Sequence, residues 1–367
     1  MKTRIMILYS ETGGGHRSLA LALTKYLNKY SNIEVLPFNH FSRWMENIYG
    51  VFGGPLRVLY GVFFHMTNSK YTRFFASLPT KMMIYPLLEK TFRDMKPDVV
   101  ITNHPLLCAD LRNVLRKASC PHTKVVVHVA DPFTPHAVWF SSPDSDMFLL
   151  PTDETKEVAI TYGIPPTSCE VVGWFLRPQF LDLTQNIRYE PGYPYVFIGS
   201  GGQGAGNTFE LMKAMIDHPS FLQSYGCVVN TGSNVSLEQS IRAYAEKKKT
   251  QHLLVLPSTD AIDEYMRGAC FVGGKLGPNF LFESLALEKA IMATSFIPGQ
   301  EEGNVTYVQE KNIGWVELDP KKAVEQMYEI FQNKAWVKLL PQIQREKKKY
   351  VSSAEGHVKD FLQKLIE

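Results

Sequence analysis

In the stretch Ser10-Glu11-Thr12-Gly13-Gly14-Gly15-His16, a histidine stands directly behind three glycines. The apolar run Ile5–Tyr9 ahead of it reads as a buried strand, and Ser18–Tyr30 behind it as a helix. A strand that enters glycines and then a helix turns backbone N–H groups and the positive end of a helix dipole toward one spot. An imidazole at such a place is held neutral, which suits a general base acting on a hydroxyl group. The same histidine serves equally well as a cap that positions the turn. Either way, the glycines let a second molecule come close to the backbone.

A second strand–glycine–helix junction follows in "GSGGQGAGN", Gly199 to Asn207, with G-x-G-x-x-G spacing at Gly199, Gly201 and Gly204. A dinucleotide site of that kind needs an acid at the end of the next strand to hold a ribose hydroxyl. Here Cys227-Val228-Val229-Asn230 runs into Thr231-Gly232-Ser233-Asn234, so nicotinamide cofactors are set aside. No G-x-x-x-x-G-K-[ST] is present, so a P-loop is unsupported, while a phosphate-bearing ligand stays open. Asp144-Ser145-Asp146 has the D-x-D spacing of a metal site, but capping before a strand explains it better. His104, His128 and His136 share no metal-ligand spacing. His136, in the "DPFTPHAVW" loop, is a candidate to line a substrate cleft.

The elements that must place these groups alternate. Apolar runs at Ile5–Tyr9, Val99–Thr102, Val125–Val129 and Phe148–Pro151 enclose the helical stretches Ser18–Tyr30 and Ala109–Lys117. The pattern restarts with strands Tyr195–Gly199, Cys227–Asn230, Leu253–Leu256 and Ala290–Ala293 and helices Asn207–Ile216 and Ala261–Gly268. Such alternation predicts α/β architecture with two doubly wound, Rossmann-like domains. The expected division is residues 1–183, a linker at 184–194, residues 195–340, and a helix over 341–367 that returns to the first domain.

A length of 367 residues suits two domains, and a net charge of +3 is too slight to imply nucleic acid. Five scattered cysteines form no C-x-x-C pair, which points to reduced thiols and a cytoplasmic protein. The N-terminus lacks the features of a signal peptide, and no run approaches the ~18 apolar residues of a membrane span. Any membrane role is therefore expected to be peripheral. From Ser42 to Lys90 the chain is crowded with Trp44, Tyr49, Phe52, Tyr60, Phe63, Phe64, Tyr71, Phe74, Phe75 and Tyr85. Arg43, Arg57, Lys70, Arg73 and Lys81 are interleaved with them, and acids are scarce. These aromatics either fill a core or dip into an anionic lipid surface; the depletion of acids favours the second.

"SETGGGHRSLALAL" resembles the opening loop of the monogalactosyldiacylglycerol synthases and processive diacylglycerol glucosyltransferases. These are inverting lipid glycosyltransferases of the GT-B fold, related to the peptidoglycan enzyme that adds N-acetylglucosamine to lipid I. The likeness extends through "KPDVVITNHPL" (Lys96–Leu106), "VADPFTPHAVWF" (Val129–Phe140), "VVGWFLRPQF" (Val171–Phe180), "GSGGQGAGN", "GKLGPNFLFESLAL" (Gly274–Leu287) and "FIPGQEEGN" (Phe296–Asn304). It implies two Rossmann-like domains facing across a cleft, an N-terminal one for the acceptor and a C-terminal one for a UDP-sugar.

The resemblance further implies His16 as base and Asp131 as its assistant, with Gly14, Gly15, His136 and Trp139 about the acceptor. Gly202, Gln203 and Gly204 would meet the diphosphate, Thr259 the uracil, Glu283 the ribose, and Gln300 and Glu301 the hexose, with Gly277 among the donor-binding residues at the start of the donor-binding helix. The implied partners are a UDP-hexose (galactose or glucose), diacylglycerol and an anionic membrane surface, with no metal or other cofactor. Three departures stand out: Lys275-Leu276-Gly277-Pro278 for Lys-Pro-Gly-Gly, Ala130-Asp131 for Thr-Asp, and Gly173-Trp174-Phe175 for Gly-x-Pro. They keep open a UDP-N-acetylglucosamine transferase or 2-epimerase, and a non-catalytic UDP-sugar-binding membrane protein.

Overall fold

The computed structural model describes the chain except for residues 1, 11–14, 31, 40–56, 74, 76–77, 79–81, 182–188, 205, 352–356, 358–359 and 365–367. Two six-stranded sheets organise it, and every pairing in both is parallel. The first contains β1 (Thr3–Tyr9), β2 (Ile33–Asn39), β3 (Val99–Thr102), β4 (Lys124–His128), β5 (Met147–Leu150) and β6 (Cys169–Val171). The second contains β7 (Tyr195–Gly199), β8 (Gly226–Asn230), β9 (Leu253–Leu256), β10 (Phe271–Lys275), β11 (Ile291–Ser295) and β12 (Gly314–Val316).

The first sheet runs β2-β1-β3-β4-β5-β6 and the second β12-β11-β10-β7-β8-β9. Each order reverses direction once, between β1 and β3 in the first sheet and between β7 and β10 in the second. Ligands of open parallel sheets bind at such reversals, beyond the carboxyl ends of the strands. The two glycine-rich junctions read from the sequence follow β1 and β7, so each lies at a reversal point.

β1 shows why the sheet is covered on both sides. Ile5 and Ile7 join one buried cluster, while Met6 and Leu8 join another on the opposite face. The helices α1 (Gly15–Leu27), α2 (Arg57–Thr67), α3 (Tyr85–Met95), α4 (Leu111–Lys117) and α5 (Asp153–Thr161) accompany the first sheet. α1 buries Leu19, Ala20, Leu23, Tyr26 and Leu27, a stripe at helical spacing that sits on the sheet. α6 (Thr208–Asp217), α7 (Val235–Lys247), α8 (Ile262–Gly268), α9 (Pro278–Ala286), α10 (Glu302–Glu310) and α11 (Pro320–Asn333) accompany the second.

α12 (Leu340–Tyr350) runs back toward the first sheet. Its last carbonyl, on Tyr350, accepts the Trp174 N–H at 2.7 Å, and a side chain at Gly173 would strike that oxygen. Lys349 pairs with Asp153 on α5 at 3.0 Å, and Lys364 beyond α12 with Glu170 at 2.6 Å. Of the expected linker, residues 184–188 lie outside the described residues, while Tyr189 packs on Tyr195 and Tyr265.

No helix among the described residues is long and apolar enough to cross a membrane. In the aromatic segment, Trp44, Tyr49, Phe52, Phe74, Arg43 and Lys81 lie outside the described residues, as do the side chains of Arg57 and Tyr60. Phe64 is buried, whereas Phe63, Met66, Tyr71, Phe75, Met82 and Met83 are at least half exposed.

Candidate active site

His16 opens the first turn of α1 and faces the end of β3. Its Nδ1 lies 2.7 Å from the Asn103 carbonyl, and Asn103 returns a bond from Nδ2 to the His16 carbonyl at 3.0 Å. A carbonyl can only accept, so Nδ1 carries the proton and the Nε2 lone pair is left for other work. Burial is the larger influence on this imidazole and takes its pKa down to about 4, against the opposing pull of the Asn103 carbonyl. The ring is therefore neutral at physiological pH. Burial, rather than the helix dipole invoked from the sequence, is the chief cause.

Around it, His104 lies 5.0 Å away ring to ring and Trp139 6.3 Å. Trp139 is fully buried and donates from Nε1 to Asp131 Oδ2 at 2.6 Å. Its contribution here is to orient a carboxylate rather than to offer a surface. Burial pushes the Asp131 carboxyl up, while bonds from Trp139 and Gln300 oppose the shift. Gln300 reaches over from the segment before α10 and donates from Nε2 to Asp131 Oδ1 at 3.0 Å. Its own carbonyl accepts from Thr134 Oγ1 at 3.0 Å. A residue assigned to the hexose and one assigned to the acceptor side thus meet directly.

His136 is buried deeper than a cleft-lining residue. Its Nδ1 accepts from the Val138 N–H at 3.1 Å, so Nε2 carries the proton toward Thr67 Oγ1, also at 3.1 Å. Phe64 of α2 stands edge-on to its ring at 4.7 Å. A side chain at Gly299 would strike Phe64, and one at Gly61 would strike Pro298. α2 is therefore fitted against the Pro298-Gly299 turn without a gap. Gly15 lies in the first turn of α1, and Gly14 falls outside the described residues.

On the other side of the seam, the Gly199–Asn207 loop folds over the ends of β8 and β11. Gly204 has φ 62° and would meet Asn234 and the Thr231 carbonyl if it bore a side chain; Gly206, with φ 92°, would meet Ser295. The Gly202 carbonyl accepts from the Ser233 N–H at 2.9 Å, and Gln203 is half-buried beside it. α6 begins after this loop without a side-chain cap, and so does α9 after Gly277. Two uncapped helix starts are places where backbone N–H groups can meet phosphate. Pro278 occupies the first helical position of α9, where a missing N–H costs the helix nothing and the fixed φ suits it.

Glu283, a turn further along α9, is buried and pairs with Arg177 at 3.0 Å. Burial raises its carboxyl pKa, and the Arg177 guanidinium pulls the other way. Glu301 is also buried; Lys275 Nζ reaches its Oε1 at 2.5 Å, and the Ile297 N–H its Oε2 at 2.7 Å. Thr259 accepts the Ala261 N–H at 3.2 Å just before α8, and no hydrogen bond among the described residues joins it to the groups above.

None of Lys275, Arg177, Asn103 and Asn279 was given a site role from the sequence. Their partners lie 26 to 264 positions away, so no local pattern marks them. Asp146 of the D-x-D is taken up by the Val125 N–H at 2.6 Å and by Arg112 at 2.5 Å, a structural use. No group of three or more potential metal ligands is found among the described residues.

Two parallel-sheet units, with glycine-rich turns at both reversal points and a helix returning from the second to the first, define the GT-B fold. Residues 16–174 match the family model of monogalactosyldiacylglycerol (MGDG) synthase. A probable monogalactosyldiacylglycerol synthase 3, chloroplastic, of Oryza sativa subsp. japonica is 28% identical over 333 residues, covering 84% of this chain. Monogalactosyldiacylglycerol synthase 2, chloroplastic, of Arabidopsis thaliana is 28% identical over 352 residues, covering 90%. The chain spans 64% of the rice protein's length and 74% of the Arabidopsis protein's.

Among solved structures, S. aureus MnaA with UDP aligns with a TM-score of 0.65 at 15% identity, covering 100% of this chain and 98% of that one. MurG of Acinetobacter baumannii aligns with a TM-score of 0.60 at 14% identity, covering 99% and 100%. These two speak for the fold alone. The chain resembles the monogalactosyldiacylglycerol synthase family along most of its length and is related to it.

Proposed function

We propose that the protein is an inverting glycosyltransferase that moves galactose or glucose from a UDP-sugar to diacylglycerol, forming a β-glycoside. In this reading the acceptor hydroxyl gives its proton to His16 Nε2 as its oxygen attacks the anomeric carbon. The bond from that carbon to the diphosphate breaks on the opposite face, and UDP leaves as an anion. The Gly202–Gly204 loop and the helix starts after Asn207 and Gly277 would receive the negative charge. Glu283 would hold the ribose, with Thr259 at the uracil. Gln300 would let go of Asp131 to meet a hexose hydroxyl, freeing that carboxylate to face the acceptor.

The observation that carries the reading is the neutral, Asn103-anchored imidazole of His16, set at a reversal point next to the Gly15 carbonyl that Asn279 of α9 contacts across the seam. Similarity to the MGDG synthases supports this substrate class. The exposed Phe63, Met66, Tyr71 and Phe75, with Lys70 beside Tyr71, suit docking on an anionic membrane where the acceptor resides. The domain limits at 183 and 195, and a cytoplasmic protein peripherally bound to membrane, form part of the same proposal.

The test is to incubate purified protein with radiolabelled UDP-galactose or UDP-glucose and diacylglycerol in anionic liposomes, then separate the lipids. Labelled glycolipid from either donor supports the reading. Its absence with both donors overturns the acceptor assignment. Formation of UDP-N-acetylmannosamine from UDP-N-acetylglucosamine without any acceptor would replace it with an epimerase.

A further inference from the structure

Asn279 stands at the second position of α9 and touches both sides of the seam. Its Oδ1 accepts the Trp174 indole N–H at 3.0 Å, and its Nδ2 donates to the Gly15 carbonyl at 3.3 Å. An indole nitrogen can only donate and a carbonyl can only accept, so the orientation of the carboxamide is fixed by its partners. Asparagine meets both demands at this reach. Aspartate would accept from Trp174 but has nothing to donate to Gly15.

The rest of the helix face makes this contact a firm one. Asn279, Phe282 and Glu283 share a face at i, i+3 and i+4 spacing. Trp174 stacks on Phe282 at 4.8 Å and 9°, and Arg177 pairs with Glu283 at 3.0 Å. Next to Asn279, Phe280 packs so closely on the end of β7 that a side chain at Gly199 would overlap its ring. The first turn of α9 is thus pinned to its own sheet on one side and to Trp174 on the other. Asn279 carries that rigidity to the peptide carbonyl immediately before His16.

We infer that Asn279 is a positioning residue: with Trp174, it ties the Gly15–His16 peptide to the start of the donor helix and so sets where the His16 imidazole stands. This inference rests on the transferase reading above. Asn279 acts on the base through the backbone and need not touch either substrate. A base displaced by about an ångström can cost on the order of a hundredfold in rate.

The experiment compares wild type with Asn279→Ala, Asn279→Asp and Trp174→Phe, measuring transfer kinetics with the donor the wild type accepts and amide exchange of the 15–27 helix. Asn279→Ala and Asn279→Asp are expected to lower kcat by about tenfold to a hundredfold; the UDP-sugar KM should stay within about twofold in Asn279→Ala, whereas the new carboxylate of Asn279→Asp, at the helix start proposed to receive the diphosphate, should raise it. Both should exchange faster in the first turn of α1. Trp174→Phe, which keeps the stack and loses only the N–H, should show a smaller fall in kcat. A purely structural role would lower the melting temperature and leave kcat intact below it. Unchanged kcat in both Asn279 variants, measured where each is folded, overturns the inference. If the wild type transfers no hexose at all, the transferase reading falls by itself. Amide exchange then still decides this contact: an unaltered α1 turn in Asn279→Ala refutes it.

Discussion

At the residue scale, the central quantity is the protonation state of buried imidazoles. His16 is neutral down to about pH 4, so the acidic limb of kcat/KM should lie near that value, well below the 6.5 of a free imidazole. A limb near 6.5 in a pH–rate profile would remove His16 as the titrating base. His16→Ala should abolish transfer and leave UDP binding by calorimetry unaltered. The same physics reaches stability through His128 and His136, which burial lowers to about 3 and about 4. In the unfolded chain both take a proton near pH 6.5, so their contribution is intact above that pH and is lost as the pH falls toward the folded values. Each should add a slope of about 1.4 kcal/mol per pH unit between roughly pH 5.5 and 4.5. Urea midpoints at pH 7, 6 and 5 should show a gentler acid loss in His128→Asn than in wild type; parallel losses would contradict the assignment. The glycine-then-histidine spacing made a neutral His16 legible. The partner that fixes its tautomer, Asn103, lies 87 residues on and was not legible.

At the element scale, the turn after β11 depends on Gly299, which has φ 83° and abuts the Phe64 ring of α2. Gly299→Ala combines a left-handed backbone cost of about 1 kcal/mol with an overlap against a buried ring. We expect a fall of roughly 2–4 kcal/mol in chemical denaturation, partly relieved by adding Phe64→Ala, which opens space under the new methyl. Strict additivity of the two losses would show that the turn and α2 do not meet. Most strands were visible as apolar runs because parallel sheets are buried on both faces. Those missed have identifiable reasons. β2 carries Glu34 and Pro37 and lies at a sheet edge, where neither polarity nor a missing N–H is penalised. β10 hides behind Gly273 and Gly274, and a side chain at Gly274 would meet the Gly199 carbonyl of β7. β6 and β12 are three residues each, and each lies at an edge of its sheet.

At the scale of the whole molecule, the two units are joined by contacts that a linear reading cannot supply, such as Gln300 with Asp131, Arg177 with Glu283 and Asn279 with Gly15. Motif order along the chain made the GT-B architecture legible; the meeting of the hexose and acceptor candidates emerges only in three dimensions. That meeting places the exposed apolar surface in context. Phe63 and Met66 lie on α2, the same helix whose buried Phe64 abuts the Pro298-Gly299 turn, and Met82 and Met83 lie just before α3. If this surface docks on lipid, the acceptor enters beside the turn proposed to meet the sugar, and docking becomes separable from nucleotide binding. The variant Phe63→Glu with Met66→Glu and Met82→Glu replaces three residues exposed by 53%, 69% and 76%, so the fold should be spared. Each new carboxylate meets both a lost apolar contact and repulsion from anionic headgroups. In flotation with anionic liposomes, the wild type should rise with the vesicles and the triple variant should stay at the bottom. UDP affinity should be equal in the two, and transfer to diacylglycerol in vesicles should drop at least tenfold. Equal flotation of both proteins would move the docking surface elsewhere on the molecule.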